Sequence, residues 1–187
     1  MPIDPADKWE KAIGDLEPAK GPAWAGKMAD AVDSLVTNKA QINGITGSVT
    51  FTFNKAIFQA QLMGLAFTPL TAVAAQAIGM AWGAAMQIST IVVAPGACMG
   101  SPAPPTLWSV VILSMIDIPM VTLAQVSLIA EITLLQPVKE KGKSPLGKAL
   151  FNAFSKCTAT VSGLNSIPPP PAGTGPLPLI APLMPLM

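Results

Sequence analysis

The stretch LTAVAAQAIGMAWGAAMQISTIVVA, residues 70–94, carries no charged side chain. Its reading decides the fold. As one helix its 25 residues rise roughly 37 Å, enough to cross a hydrocarbon core of about 30 Å. It lies inside a longer charge-free run, residues 56–116, with Pro69 just before it. Pro95 and Gly96 open a connector, residues 95–106, that also holds Pro102, Pro104 and Pro105. Residues 107–136 are a second apolar segment, roughly 45 Å long if helical, with a kink expected at Pro119. Two such segments joined by a short rigid loop predict a long apolar helical hairpin over 56–136, each arm a transmembrane helix.

Within the first arm, Ala75, Gly79 and Gly83 recur every four residues. Small residues at that spacing let two helix backbones approach closely, so they are a candidate packing seam. Trp82 and Trp108 lie toward the connector, where interfacial aromatics sit in a membrane hairpin. The second arm carries the only charges between Lys55 and Lys139, namely Asp117 and Glu131. Fourteen residues are 40° short of four turns, so on one ideal helix the two acids point the same way, about 21 Å apart. Ser114 and Gln125 fall near that line and complete a candidate polar stripe: Ser114, Asp117, Gln125 and Glu131. Acids in an apolar helix face a bundle interior or a water-filled path.

Outside this block the chain is polar at the front and basic behind. Residues 1–55 hold six Lys and seven acids and form a polar head. Asp4-Pro5 is a helix start, with Asp4 as N-cap and Pro5 at the first helical position. Trp9, Ile13 and Leu16 then make one apolar stripe. A second amphipathic helix is predicted over 23–37, with Trp24, Met28, Ala31 and Leu35 on one face. Residues 48–53 alternate polar and apolar and predict a short strand. Met1 is followed at once by Pro2 and acids, so no cleavable signal peptide is expected.

Residues 137–167 form a basic segment with Lys139, Lys141, Lys143 and Lys148 as its cluster. Beside a membrane such a cluster meets anionic headgroups and favours the cytoplasmic side. Ser144-Pro145 opens a short amphipathic helix over about 146–155, with Leu146, Leu150, Phe151 and Phe154 on one side. The tail, residues 168–187, is uncharged and has Pro at eight positions. It is predicted to be extended and polyproline-II-like. Because Leu, Ile and Met fill its gaps, docking on a neighbouring subunit is the expected fate.

Composition excludes several activities. The 187 residues include no His, no Tyr and no Arg, and charged residues make up 11%, against about 25% in ordinary soluble proteins. Without His there is no Ser-His-Asp or Cys-His machinery and no His-ligated metal. Without Arg, and with a net charge of +1, nothing suggests a nucleic-acid partner. Cys98 and Cys157 stand alone in sequence, with no metal motif. On a membrane hairpin they lie on opposite sides and cannot pair, whereas a compact fold permits pairing. Gly96 and Gly100 lack the Gly-Lys-Ser/Thr ending of a phosphate loop.

The sequence therefore predicts a mainly α chain: a long apolar helical hairpin, small amphipathic N-terminal helices, one short strand or hairpin, and an extended Pro-rich tail. The expected role is a non-enzymatic structural, membrane-active or oligomer-embedded subunit, without cofactors. Its expected partners are sister subunits, a larger protein assembly and membrane lipid. Its expected place is a membrane or a large assembly such as a virion or an injection or secretion apparatus. The alternative is a small channel or transporter subunit with Asp117 and Glu131 lining the path.

Overall fold

A computed structural model describes residues 4–16, 21–37, 39, 49–65, 72–93, 97–98, 106–107, 112–135, 143–160, 162–164, 178–180 and 184–185. Among them the chain is mainly helical. The helices are α1 Ala6–Gly14, α2 Gly21–Val36, α3 Lys55–Leu62, α4 Ala72–Ile88, α5 Ile118–Thr133 and α6 Pro145–Lys156. The strands are β1 Val49–Thr52, β2 Thr90–Val93, β3 Ala97–Cys98, β4 Thr106–Leu107, β5 Ile112–Ile116, β6 Thr158–Thr160, β7 Ser162–Leu164, β8 Pro178–Ile180 and β9 Met184–Pro185.

The membrane-spanning hairpin does not form. No helix among the described residues is long and apolar enough to cross a membrane. The expectations of a transmembrane helix and of a hydrophobic hairpin are overturned, and membrane insertion of these helices is without support. The reason is local. α4 stops after 17 residues, where Ser89 turns the chain: its hydroxyl donates to the Ala85 carbonyl at 2.7 Å and accepts from the Asn54 N–H at 3.0 Å. The β-branched run Thr90–Val93 that follows prefers a pleated strand. On the other side, Ile112–Ile116 is a strand and α5 begins only at Ile118. Pro119 sits in the first turn of α5, where its missing N–H costs nothing. It opens a helix and does not kink one.

Helix and strand order run together. Neighbouring helices are α2, α3, α4, α5, α6 and α1, and α1 touches α2 again. The larger sheet has the order β1-β2-β5-β6-β9, antiparallel throughout. β1 leads into α3, α4 runs out into β2, β5 leads into α5 and α6 runs out into β6. All four junctions therefore lie at one end of the helical layer, and the sheet grows from that end. Phe51 and Ile91 pair across β1 and β2, and both are buried with Ile116 and Ala159.

Two hairpins carry the strands outward. β2 pairs with β5 and, further along, β3 with β4. The second hairpin pairs β6 with β9 and β7 with β8. The described pieces of the Pro-rich tail, β8 and β9, pair with β7 and β6 of the same chain. Pro185 lies on an edge strand, where a missing N–H is tolerated.

One core draws on the head, the apolar block and the basic segment. Phe154 of α6 is its centre. Its ring lies 5.2 Å from Trp9, 5.7 Å from Phe53 and 5.5 Å from Trp82, centroid to centroid. Trp82 is fully buried, so it is a core residue and no part of an interfacial belt. The head folds as its periodicity predicts: Trp9 and Ile13 of α1, and Trp24, Met28 and Leu35 of α2, are buried. Asp4 is not the N-cap, however. That position is Pro5, and the Asp4 carboxylate instead takes hydrogen bonds from Lys39 and Lys8. The hydrogen bond from Lys39, then that from Lys8, holds it below the ordinary carboxylate range. Where α1 crosses α6, a Cβ on Gly147 would lie 2.5 Å from the Trp9 carbonyl oxygen. Only glycine lets the two backbones meet there.

Two substitutions test this core. Phe154→Ala should cost about 3–5 kcal/mol of unfolding free energy in a denaturant titration. Gly147→Ala should cost about 1–3 kcal/mol, because backbone must move to admit one methyl group. A loss below 1 kcal/mol in both would place the core elsewhere.

Candidate functional site

The functional candidate is the α4–α5 helix pair, where two helix backbones approach closely at glycines and apolar side chains remain exposed. A Cβ on Gly79 would lie 2.2 Å from Ile129 Cγ1, and one on Gly83 would lie 2.6 Å from Gln125 Cδ. As α4 advances from 79 to 83, α5 retreats from 129 to 125, so the helices are antiparallel. Gly79 and Gly83 form the line of approach. Ala75 is buried on the core side of α4.

The four residues of the predicted polar stripe are not on one helix. Ser114 is in β5, opposite Ile91 of β2. Asp117 is the half-buried N-cap residue of α5, without a side-chain cap bond. Its N–H donates to the Thr158 carbonyl at 3.0 Å, joining α5 to β6. A carboxylate at that end of a helix is favoured by the helix dipole. Gln125 packs against Gly83, and only Glu131 lies further along α5.

Glu131 ties α5 to α6. One carboxylate oxygen accepts from Lys156 at 3.1 Å and from the Ser127 hydroxyl at 3.2 Å. The other accepts from Asn152 at 3.1 Å. Partial burial works against the charge, but the hydrogen bonds from Asn152, Lys156 and Ser127 outweigh it, and the carboxyl lies below its ordinary range. Lys156 also donates to the Ser127 hydroxyl at 2.7 Å. Serine beside lysine is the layout of a nucleophile with an amine base, which needs a desolvated amine. Here the Lys156 side chain is half exposed and ion-paired to Glu131, so the arrangement is a clamp between helices. Sequence reasoning missed Ser127, Asn152 and Lys156. The i,i+4 spacing of Ser127 and Glu131 was the only local signal, and the other two groups come from a helix distant in sequence.

Of the basic cluster, Lys139 and Lys141 lie outside the described residues, while Lys143 and Lys148 are exposed. Cys157 is a free thiol in the core. Burial pushes it up to about 12, which makes it a poor nucleophile. Cys98 lies in β3. Among the described residues, no group of three or more Cys, Asp or Glu is placed to hold a metal.

The outer face of the helix pair is the feature that sequence reasoning did not separate from the core. Val73, Met80 and Ile88 of α4 are exposed, as are Ile118, Leu123 and Val126 of α5 and Leu134 just beyond it. Val73 is 76% exposed and Leu134 79%. Trp82 and Ile78 of α4, and Val121 and Leu128 of α5, are buried on the opposite side. Both helices therefore carry large apolar side chains on both faces.

Comparison with known proteins gives no relative: no family model, no curated protein and no solved structure matches the chain.

The seam and the clamp make separate predictions. Gly79→Ala should destabilise by about 1–3 kcal/mol, and pairing it with Ile129→Ala should recover part of the loss. Gly83→Ala should be near neutral, because Gln125 is flexible and the gain in helix propensity, about 1 kcal/mol, offsets the contact. Equal losses at both glycines would contradict this seam. Glu131 stabilises the fold above its unfolded value near 4.5, and that contribution disappears as pH falls through its lowered folded value. Glu131→Gln should cost about 0.2–1 kcal/mol at pH 7, as for other solvent-accessible pairs. It should also flatten the acid limb of a stability–pH curve.

Proposed function

We propose that the chain is a non-enzymatic structural subunit of a larger protein assembly, with its apolar surfaces covered by other subunits. The observation that carries this reading is the partition of charge. Every Lys, Asp and Glu lies in residues 4–55 or 117–156, which supply the helical layer and its connections. The two hairpins, drawn from residues 90–116 and 158–185, have no charged residue at all. Strands meant for water alternate apolar with polar and guard their edges with charge. These do neither: β2 reads Thr-Ile-Val-Val and β5 reads Ile-Leu-Ser-Met-Ile. Such strands are at home where both faces and the edges meet protein.

The setting that fits is a particle or apparatus in which nearly every surface is an interface, such as a virion or an injection or secretion machine. The absence of His and Arg supports a structural role over a catalytic one. The channel reading has no support in the geometry, since Asp117 caps a helix and Glu131 is engaged by three donors.

Purification of the full chain without detergent, followed by light-scattering mass measurement, tests the proposal. The expected result is a species of several chains, or a discrete large complex. A monodisperse monomer at micromolar concentration, stable without detergent or partner, would contradict it.

A further inference from the structure

We propose that the outer face of the α4–α5 pair is the surface through which the chain binds a second copy of itself, helix pair against helix pair. This rests on the assembly reading above and names the partner of one surface within it.

Spacing points to helices as the occupant. On α4 the outward residues are Val73, Ala77, Met80, Ala84 and Ile88, at steps of four, three, four and four. On α5 they are Leu123, Val126, Ala130 and Thr133, at steps of three, four and three. Steps of three and four keep these residues on one side of each helix, the side that another helix could meet. This side is separate from the seam that joins α4 to α5, because Gly79 and Gly83 point to Ile129 and Gln125.

Area and charge point to a copy. With Met63 at the end of α3, the exposed apolar side chains present on the order of 800 Å². The largest patch on an ordinary monomer is about 300–600 Å², and one partner of a standard interface contributes about 800 Å². The outward positions of both helices carry no charge, so two copies meet without like-charge repulsion. A partner with a charged face would have to bury that charge without compensation, at a large cost. Gln76 and Gln87 are the exposed polar residues of α4. An amide both donates and accepts, so each can be satisfied by a polar group of the copy. The face also carries both bulk and gaps: Met80 stands between Ala77 and Ala84, so an antiparallel copy can seat its own Met80 in that recess.

The test uses the full chain and two exposed positions, Met80 (53% exposed) and Val126 (62%), where substitution leaves the core intact. Met80→Glu and Val126→Glu should each weaken self-association on the order of 100-fold, read as a fall in mass by light scattering, with the helical circular dichroism of the native protein unchanged. In a Cys98→Ser background, Met80→Cys should form an intermolecular cross-link with a short thiol reagent. Multimers that ignore both Glu substitutions and give no cross-link would overturn this proposal and leave the assembly reading standing. A wild-type monomer would overturn both. A monomer whose Met80→Cys thiol resists labelling until unfolding would show that a segment of the same chain covers the face, and would overturn the proposal as well.

Discussion

The stacking of rings around Phe154 makes one body of this chain. Trp9 comes from the polar head, Phe53 from the turn after β1, Trp82 from the apolar block and Phe154 from the basic segment. Each aromatic side chain removes about 150–250 Å² from water, and here four of them share a single centre. The head and the basic segment are thereby committed to one side of α4 and α5. The consequence is an asymmetry: α4 and α5 have one face sealed by the chain's own aromatic residues, while the other remains apolar and open. The core thus defines which face of the two helices is left open.

Legibility in the sequence followed amphipathicity. α1, α2 and α6 are read correctly because polar and apolar residues alternate with helical period, and the phase of that pattern names the buried face. Trp9 and Ile13, Trp24 and Met28, and Leu150 and Phe154 all lie where their spacing puts them. Residues 70–136 contain no such alternation. A uniformly apolar run has no phase, and periodicity cannot tell a buried helix from a buried strand. The deciding signals were local chemistry: β-branched residues at 90–93, Ser89 as a helix stop and Asp117-Ile118-Pro119 as a helix start. The polar stripe failed with the helix that was supposed to carry it. The partners of Glu131 were out of reach because Asn152 and Lys156 meet it only through the tertiary packing of α5 on α6.

The tail shows the same limit from another direction. Its prolines rule out a helix, and the extended conformation follows from composition alone. Which edge it meets does not. Residues 158–164 present a strand edge with no charge to repel it, and that edge belongs to the same chain. The two uncharged hairpins then lie side by side, joined through β5 and β6, on the end of a helical layer that carries the charge. Low average charge in this protein is thus a matter of address: charge lies in the residues that supply the helical layer, and is missing from the strand hairpins.

The central claim is that residues 72–88 and 118–133 are two short helices, the first continued by a strand at 90–93 and the second preceded by one at 112–116, and not a pair of membrane-spanning helices. Carbon chemical shifts of isotope-labelled, detergent-free protein, read by solid-state NMR if it forms large particles, test this most directly. The account predicts strand-type shifts at residues 90–93 and 112–116, between helical shifts over 72–88 and 118–133. Unbroken helical shifts through 70–94 and 107–136, obtained only after transfer into lipid or detergent, would contradict it.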